Sequence, residues 1–292
     1  MLLNTYLKET FGCKVYKIAL NGGFTCPNRD GKLDSRGCIF CSAGGSGDFA
    51  EDATLSVTEQ IEAGKKKLQG KIKGGKYIAY FQAFTNTYGP IDKLRRLFFE
   101  AVSCSDVAAL SIATRPDCLP EEVLALLSEL NNIKPVWVEL GLQTVNEESA
   151  KYIRRGYPLS VYDKAVKDLK DIGINVITHV ILGLPGESKE DMLDTVRYVC
   201  KSGSSGIKLQ LLHVLKGTDL EKDYLAGKFA VLSEDEYIDI IKMCLKEIPP
   251  EVVIHRLTGD GDKKILVAPL WSGNKKHVIN RINAIIKDTD HH

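Results

Sequence analysis

Six short apolar segments of strand length alternate with amphipathic helical patterns along most of this chain. The strand-like segments are residues 14–21, 77–85, 107–114, 136–143, 174–183 and 206–213. Residues that favour helix starts stand between them, namely Pro90, Pro120, Asn146, Ser160 and Ser188. Because parallel strands are joined by crossovers that are usually helices, six such units in succession predict one parallel sheet. That sheet is either open and doubly wound or curved into a barrel.

The two faces of these strands differ in polarity, which helps to separate the two architectures. Side chains alternate between faces along a strand. One face is apolar, whereas the other carries Gln82, Glu139, Gln143, His179, Lys208 and Gln210. A doubly wound sheet is covered by helices on both faces, so both faces would be apolar. The polar face therefore favours the lumen of an incomplete barrel that holds a polar ligand, over a set of strand ends near solvent.

Two of these polar residues, Glu139 and Lys208, are costly to bury. An ion that is removed from water without a partner costs several kcal/mol (roughly) in a protein interior. If both residues lie inside the barrel, we expect them to pair with each other or with a ligand.

Charge and cysteine content narrow the class of protein. The chain has 292 residues with 39 basic and 38 acidic side chains, and a net charge of +1 excludes histone-like binding of polyanions but not a local basic patch. The start, Met1-Leu2-Leu3-Asn4-Thr5, lacks the basic and apolar regions of a secretory signal, and no apolar run reaches the length of a membrane span. Eight cysteines without export favour reduced thiols that serve metal binding or catalysis. We therefore expect a cytoplasmic protein that does not bind membranes.

Three of the cysteines, Cys26, Cys38 and Cys41, form a C-x11-C-x2-C pattern in a glycine-rich loop directly after the first strand. Barrel enzymes place their chemistry at this end of the strands. A structural zinc site needs a fourth ligand, and Cys13 stands about seven residues down the strand, roughly 23 Å away at ~3.3 Å per residue. Three thiolates without a fourth suit an iron–sulfur cluster with one open iron. The cluster is favoured, zinc remains open, and the other five cysteines are expected to be small buried apolar residues.

Several sequence blocks resemble those of radical S-adenosylmethionine (SAM) enzymes, and in particular the YtqA/YhcC-type proteins related to the Elongator catalytic subunit. The blocks are GFTCPNRDG, GCIFC, YFQAFTNTY, IATRPDCL, ELGLQT, RRGY and HVILGLPGE. The resemblance covers almost the whole chain. It implies an α/β fold, a partial (β/α)6 TIM-type barrel, in a single domain over 1–292. The cluster loop would be 22–47, the barrel core about 14–230, and a helix-strand-helix extension would fill about 231–292.

The resemblance also implies roles for individual residues. Cys26, Cys38 and Cys41 would bind three irons of a [4Fe-4S] cluster, and the amino and carboxylate groups of SAM would bind the fourth. The further cofactor-binding residues would be Phe40 near the adenine, Gln82 and Ala83 in place of the usual Gly-Gly-Glu, Thr85 and Asn86 after them, Gln143 and Arg155 at the methionyl carboxylate, His179 near the ribose, and Gly183 and Gly186 in the adenine-side turn. Three departures from the family pattern are the eleven-residue gap between cysteines, the missing Gly-Gly-Glu, and Ala113 at a position where relatives have glutamate. The last leaves Thr114 or Glu139 to bind the ribose hydroxyls.

The activity implied by the resemblance is reductive cleavage of SAM to a 5′-deoxyadenosyl radical, with an electron from a flavodoxin- or ferredoxin-type donor. The implied substrate is tRNA, in which 5-carboxymethylaminomethyl-uridine at the wobble position would become 5-aminomethyl-uridine. Tyr80 and Tyr88 are candidate hydrogen relays. The alternatives are a radical SAM enzyme for a small metabolite and a zinc-stabilised RNA-binding module.

Two lysine-rich stretches give the tRNA hypothesis some support of their own. Residues 65–76 contain six lysines and no acid, and 263–281 contain Lys263, Lys264, Lys275, Lys276 and Arg281 with Trp271 and no acid. Clustered cations near an aromatic ring are typical of RNA backbone contact and base stacking. The first stretch is more simply explained as a solvated face, so the second is the better candidate.

Overall fold

The computed structural model describes residues 1–47, 50–69, 74–259 and 261–289. Seven strands form one parallel sheet: β1 (Val15–Leu20), β2 (Lys76–Phe81), β3 (Val107–Thr114), β4 (Val136–Gln143), β5 (Asn175–Leu182), β6 (Gly206–Leu211) and β8 (Val253–Arg256). They lie side by side in chain order, with β8 next to β6. The sheet curls into a half-barrel, which confirms the predicted partial barrel of the radical SAM type.

Helices cover the convex face of the sheet, as crossovers between parallel strands require. They are α2 (Val57–Leu68), α3 (Ile91–Ser103), α4 (Glu121–Asn131), α6 (Leu159–Asp171), α7 (Lys189–Ser202) and α9 (Glu234–Glu247). The short helix α5 (Glu147–Tyr152) lies between β4 and α6 in the chain. Four predicted starts hold. Pro90 and Pro120 directly precede α3 and α4, Asn146 accepts hydrogen bonds from the first turn of α5, and Ser188 forms a capping box with Asp191 at α7. Ser160 lies inside α6, which begins after Pro158.

The remaining elements lie outside this alternation. They are α1 (Leu3–Phe11), β7 (Val214–Leu215), α8 (Asp219–Leu225), β9 (Leu266–Ala268), a short 3₁₀ helix at Leu270–Gly273, and α10 (Lys275–Thr289). Strand β7 pairs with β9 in a small antiparallel sheet. The predicted strand near 251–257 is β8, which joins the main sheet. The sheet therefore gains a seventh strand from the predicted extension.

The apolar faces of the strands form the main core between sheet and helices. Leu20, Phe81, Ile112, Leu140 and Val180 are fully or almost fully buried there, on the side packed by α2, α3, α6 and α7. This side obeys the predicted period of two along each strand.

The concave side is layered like the interior of a closed barrel. At its base, Ile78, Ala109, Trp137 and Ile177 pack against Leu7 of α1, which fills the end of the lumen at the amino ends of the strands. Polar side chains occupy the levels above. Among the described residues, no helix has the length and apolar character needed to cross a bilayer.

Candidate active site

A cavity of about 240 Å³ opens at the carboxyl ends of the strands, above the apolar base. Its lining includes the polar residues predicted for the lumen: Gln82, Glu139, Gln143, His179, Lys208 and Gln210. The same cavity is lined by Cys26, Cys38 and Cys41. The structure thus confirms a polar lumen and brings the three cysteines to its mouth.

The loop that carries the cysteines is fixed by hydrogen bonds to distant parts of the chain. The Asn28 amide donates to the Cys38 sulfur at 3.3 Å and to the Arg154 carbonyl at 2.6 Å. The Arg29 guanidinium donates to the carbonyl oxygens of Cys41 and Ser42 at 3.1 and 2.5 Å. These contacts hold both ends of the C-x11-C segment in place, so the thiols are positioned by the folded loop.

Glycine is required where the cysteine loop meets the turn after β2. Gly45 has a positive φ of 57°, and a Cβ there would lie 2.4 Å from the Phe84 ring. Its carbonyl accepts from the Phe84 N–H at 2.8 Å, and the Gln82 amide donates to the Ser46 carbonyl at 2.8 Å. Phe84 itself has a φ of 62°, which explains why β2 stops at Phe81 and not at the predicted 85.

The chemistry of the thiols fits an iron–sulfur cluster. A hydrogen bond from Cys41 lowers the pKa of Cys38 to about 6, so Cys38 is the thiolate of the pair, whereas that bond and burial raise the pKa of Cys41. Thiolates are the ligands of such clusters, and an N–H from Asn28 to the sulfur is the kind of contact that tunes them. The three cysteines are the residues that would hold the cluster. Within the described ranges, no three His, Cys, Asp or Glu side chains form a set that would hold a single metal ion.

The zinc alternative lacks its fourth ligand in the place where it is needed. Cys13 precedes β1 and therefore stands at the opposite end of that strand from the loop. Cys118, in the turn after β3, is buried, and burial raises its pKa to about 12. All eight cysteines are free.

The middle level of the lumen contains a buried ion cluster around Glu139. One carboxylate oxygen accepts from Lys17 and Ser111, each at 2.7 Å. The other accepts from His179 at 2.7 Å and from Lys208. The predicted pairing of Glu139 with Lys208 is thus observed. A carboxylate offers about four acceptor positions, and these described donors use four on Glu139. Its suggested contact with the ribose of SAM would require it to share them, and that contact stays a prediction.

The protonation states in this cluster follow from burial and neighbouring charge. Burial alone would raise the pKa of Glu139, but Lys17 and Lys208 outweigh it and hold that pKa well below its ordinary value. Burial and the charge of Lys208 lower the pKa of His179 to about 4, so the ring is neutral. Its Nε2–H donates to Glu139, and its Nδ1 accepts from the Gln210 amide at 3.2 Å.

Gln143 stands at the top of β4 in a strained conformation. Its φ is 72°, and the pairing between β4 and β5 shifts register there. Its side-chain oxygen is buried, and no described residue bonds to it. A non-glycine residue in the left-handed region that lines a cavity and holds an unpaired buried oxygen is typical of a ligand-binding position. The geometry is therefore compatible with the predicted contact to SAM.

Arg155 also lines the cavity, but its guanidinium is already bonded. It donates to the carbonyl oxygens of Tyr157 and Thr144 at 3.0 and 2.6 Å and to Glu147 at 2.8 Å. Arg155 is 3% exposed, which excludes a surface arginine. To bind the methionyl carboxylate as predicted, it would have to share these donors.

Several predicted site residues are placed elsewhere. Phe40 and Thr85 line the cavity, whereas Ala83, Asn86, Gly183 and Gly186 do not. The Asn86 amide donates to the carbonyl oxygens of Phe81 and Ala113 and so fixes the turn after β2. Gly183 packs against Leu232, and Tyr88 also lies outside the cavity, whereas Tyr80 lines it.

Sequence reasoning missed Arg115, which lines the cavity and is nearly buried. Its guanidinium forms two hydrogen bonds with Asp117, at 2.9 and 2.8 Å, and its charge helps to lower the pKa of Cys38. The signal was present, because an Arg-x-Asp sequence directly after a buried strand places a cation at the active edge of the sheet.

In the folded structure, several cations of the two lysine-rich stretches pair with acidic side chains from other parts of the chain. Lys65 pairs with Glu62 and Asp106, and Lys67 pairs with Glu51. Residues 70–73 of the first stretch lie outside the described residues.

In the second stretch, Arg281 pairs with Glu234 and Asp235. The Trp271 indole donates to the Leu232 carbonyl, and its ring lies 5.7 Å from that of Tyr237, so the ring is already packed within the protein. Lys263, Lys264, Lys275 and Lys276 are exposed.

Comparison with known proteins finds matching family models and several similar proteins. Residues 26–199 match the model of the radical SAM superfamily, and residues 204–288 match that of the radical SAM C-terminal domain. The chain is 48% identical to the uncharacterized protein YtqA of Bacillus subtilis, over 96% of this chain and 87% of that protein. It is 37% identical to the protein YhcC of Escherichia coli K12, over 92% and 86%.

Two matches at lower sequence identity are a named tRNA-modifying protein and a solved structure. A tRNA uridine(34) acetyltransferase of Methanocaldococcus jannaschii is 28% identical over 57% of this chain and 31% of that protein. The solved structure of Methanocaldococcus infernus Elp3 has a TM-score of 0.69 at 20% identity, over 92% of this chain and 63% of that one. This structural likeness shows the shared fold.

Proposed function

The chain belongs to the radical SAM superfamily, and on that premise we propose that it modifies the wobble uridine of tRNA by hydrogen-atom abstraction. It is an enzyme of that superfamily, with a [4Fe-4S] cluster and SAM as cofactors. The observation that carries the proposal is that Cys26, Cys38 and Cys41 line one cavity with the polar residues of the lumen. When bound, the cofactors supply a 5′-deoxyadenosyl radical that removes a hydrogen atom from an unactivated carbon.

The chain's own residues bind the cofactors, orient them in the cavity and shield the reaction from water. The cysteines hold the cluster, and Asn28 donates to the Cys38 sulfur. Gln143, which lines the cavity, would contact the methionyl part of SAM. The apolar base of the lumen, sealed by Leu7 and Trp137, limits access of water from below. Such shielding protects a reactive intermediate from side reactions.

The tRNA part of the proposal is supported by relatives and by charge. Relatives include a tRNA uridine(34) acetyltransferase, and exposed Lys275 and Lys276 begin α10. In the proposed reaction, a hydrogen atom is removed from the carboxymethyl carbon beside the amine nitrogen of 5-carboxymethylaminomethyl-uridine. Loss of one further electron, with the oxidised iron–sulfur cluster as acceptor, would give an imine. Addition of water to that imine would break the C–N bond, release the two-carbon unit as glyoxylate and leave 5-aminomethyl-uridine. The electron donor would be a flavodoxin- or ferredoxin-type protein, and the location the cytoplasm.

A small metabolite is the second candidate substrate. It is favoured by the ion pairs of Lys65, Lys67 and Arg281, which neutralise much of both lysine-rich stretches. An enzyme of this kind would turn over its substrate equally well after charge reversal on α10.

The test begins with anaerobic reconstitution with iron and sulfide, followed by SAM and dithionite. We expect 5′-deoxyadenosine by mass spectrometry, and conversion of the modified uridine when tRNA is added. Cys38→Ala should lose cluster and cleavage, whereas Cys118→Ala, a buried thiol outside the cavity lining, should keep both. Failure of the wild type to form a cluster, or an intact cluster in Cys38→Ala, would refute the assignment.

A further inference from the structure

Lys208 is a buried cation in the middle of the lumen. It is the third residue of β6, is 3% exposed and lines the cavity. Its ammonium donates to Glu139 and to the Tyr80 hydroxyl, the latter at 3.3 Å. An ammonium has three N–H donors, and these described contacts use two of them.

Two lysines approach the same carboxylate among the described residues at this level. Lys17 and Lys208 both pair with Glu139, while His179 is neutral. Two ammonium groups therefore share a single carboxylate. Burial, together with the charges of Lys17 and Arg256, lowers the pKa of Lys208 to about 7 in spite of Glu139. When burial lowers the pKa of a lysine in this way, a further anion that reaches the side chain stabilises its charged form.

We propose that this level of the lumen is a carboxylate-binding site for the substrate, with Lys208 as the residue that contacts the anion. The inference rests on the proposed function and names the part of the substrate that enters deepest, a carboxylate on the substituent of the uridine. Backbone phosphates stay on the continuous RNA chain, whereas a substituent on one extruded base can reach a buried position.

The site also distinguishes substrate from product. The proposed product keeps the amine, which is a cation near neutral pH, but has lost the carboxymethyl group with its carboxylate, so two lysines at this level would repel it. Lys208 thus favours binding of the substrate, which carries a carboxylate, and release of the cationic product.

SAM is a second source of a carboxylate, so the experiment must separate the two. The first arm measures binding of two anticodon stem–loop RNAs by fluorescence anisotropy, with the cluster-loaded, unreduced protein and SAM. One RNA carries 5-carboxymethylaminomethyl-uridine and the other 5-methylaminomethyl-uridine, which lacks the carboxylate. We expect the wild type to prefer the first RNA by about 10- to 100-fold, the value of one charge-assisted hydrogen bond. Lys208→Met should reduce that preference to nearly onefold.

Lys17→Met is the matched control, because Lys17 pairs with the same carboxylate but does not line the cavity. Lys17→Met lowers the positive charge at this level but leaves the ammonium that contacts the anion, so the preference should fall by less than in Lys208→Met. The second arm measures SAM affinity by equilibrium dialysis. Lys208→Gln, which can still donate to Glu139, replaces the methionine variant if that variant fails to fold.

A preference that survives in the Lys208 variants would overturn the site. So would a loss of SAM affinity as large as the loss of RNA preference, because the anion would then belong to the cofactor. A wild type that binds neither RNA would instead refute the tRNA function itself.

Discussion

Replacing Glu139 with glutamine tests whether the lumen is organised around one buried carboxylate. The variant keeps the shape of the side chain and removes the charge that Lys17 and Lys208 share. Removing one partner of a buried ion pair costs about 3–5 kcal/mol. Lys208 can release its proton near neutral pH, since its pKa is about 7. We therefore expect the lower end, about 3 kcal/mol of unfolding free energy and a fall in Tm of about 6–12 °C.

The assay is urea unfolding of the cluster-free protein, followed by circular dichroism. Glu129→Gln is the matched control, because Glu129 pairs with Arg95 at a half-exposed position and should lose at most about 1 kcal/mol. The double variant Glu139→Gln with Lys208→Met should lose less than the sum of the single changes, since the unpaired ammonium is gone. A cost below about 1 kcal/mol for Glu139→Gln would refute the buried ion cluster.

Three further predictions concern other parts of the site. His179 has a folded pKa of about 4 against 6.5 unfolded, so its neutral form contributes stability above pH 6.5 that is lost as the pH falls towards 4. His179→Gln should remove about 3 kcal/mol of that pH dependence in urea titrations at both ends of the range; an unchanged slope would contradict the neutral buried ring. Gly45→Ala should lower iron content and stability, whereas Gly12→Ala, with a similar φ of 66° but no atom near its Cβ, should cost only about 1 kcal/mol; equal effects would count against the contact with Phe84. Charge reversal at Lys275 and Lys276 should weaken tRNA binding and reduce its logarithmic salt slope by about 2; an unaltered slope would place the RNA elsewhere.

Most of the fold prediction came from the alternation of polar and apolar side chains along the strands. It placed Glu139, His179 and Lys208 on one face before any coordinates, because the period of two is a local property of the backbone. It also showed that Glu139 and Lys208 would need partners. It could not show that Lys17 and Ser111 complete the cluster, since those contacts depend on how far the sheet curls.

Loops were harder to predict than strands. The positive φ of Phe84 and Gln143 has no signal in residue type, because such conformations are held by the surrounding structure. Gly183 and Gly186 do not line the cavity, because β5 ends at Leu182 and the chain then packs against Leu232. Their predicted place near the adenine stays a prediction.

The meeting of five strands at one carboxylate has a consequence for how such proteins diverge. Four residues that are far apart in the chain each donate to the carboxylate of Glu139, namely Lys17, Ser111, His179 and Lys208. A single substitution leaves the other four mismatched, and residues in such a network are energetically coupled. We therefore expect related proteins either to keep all five residues or to change several of them together. A change of substrate would then appear as correlated substitutions on five strands.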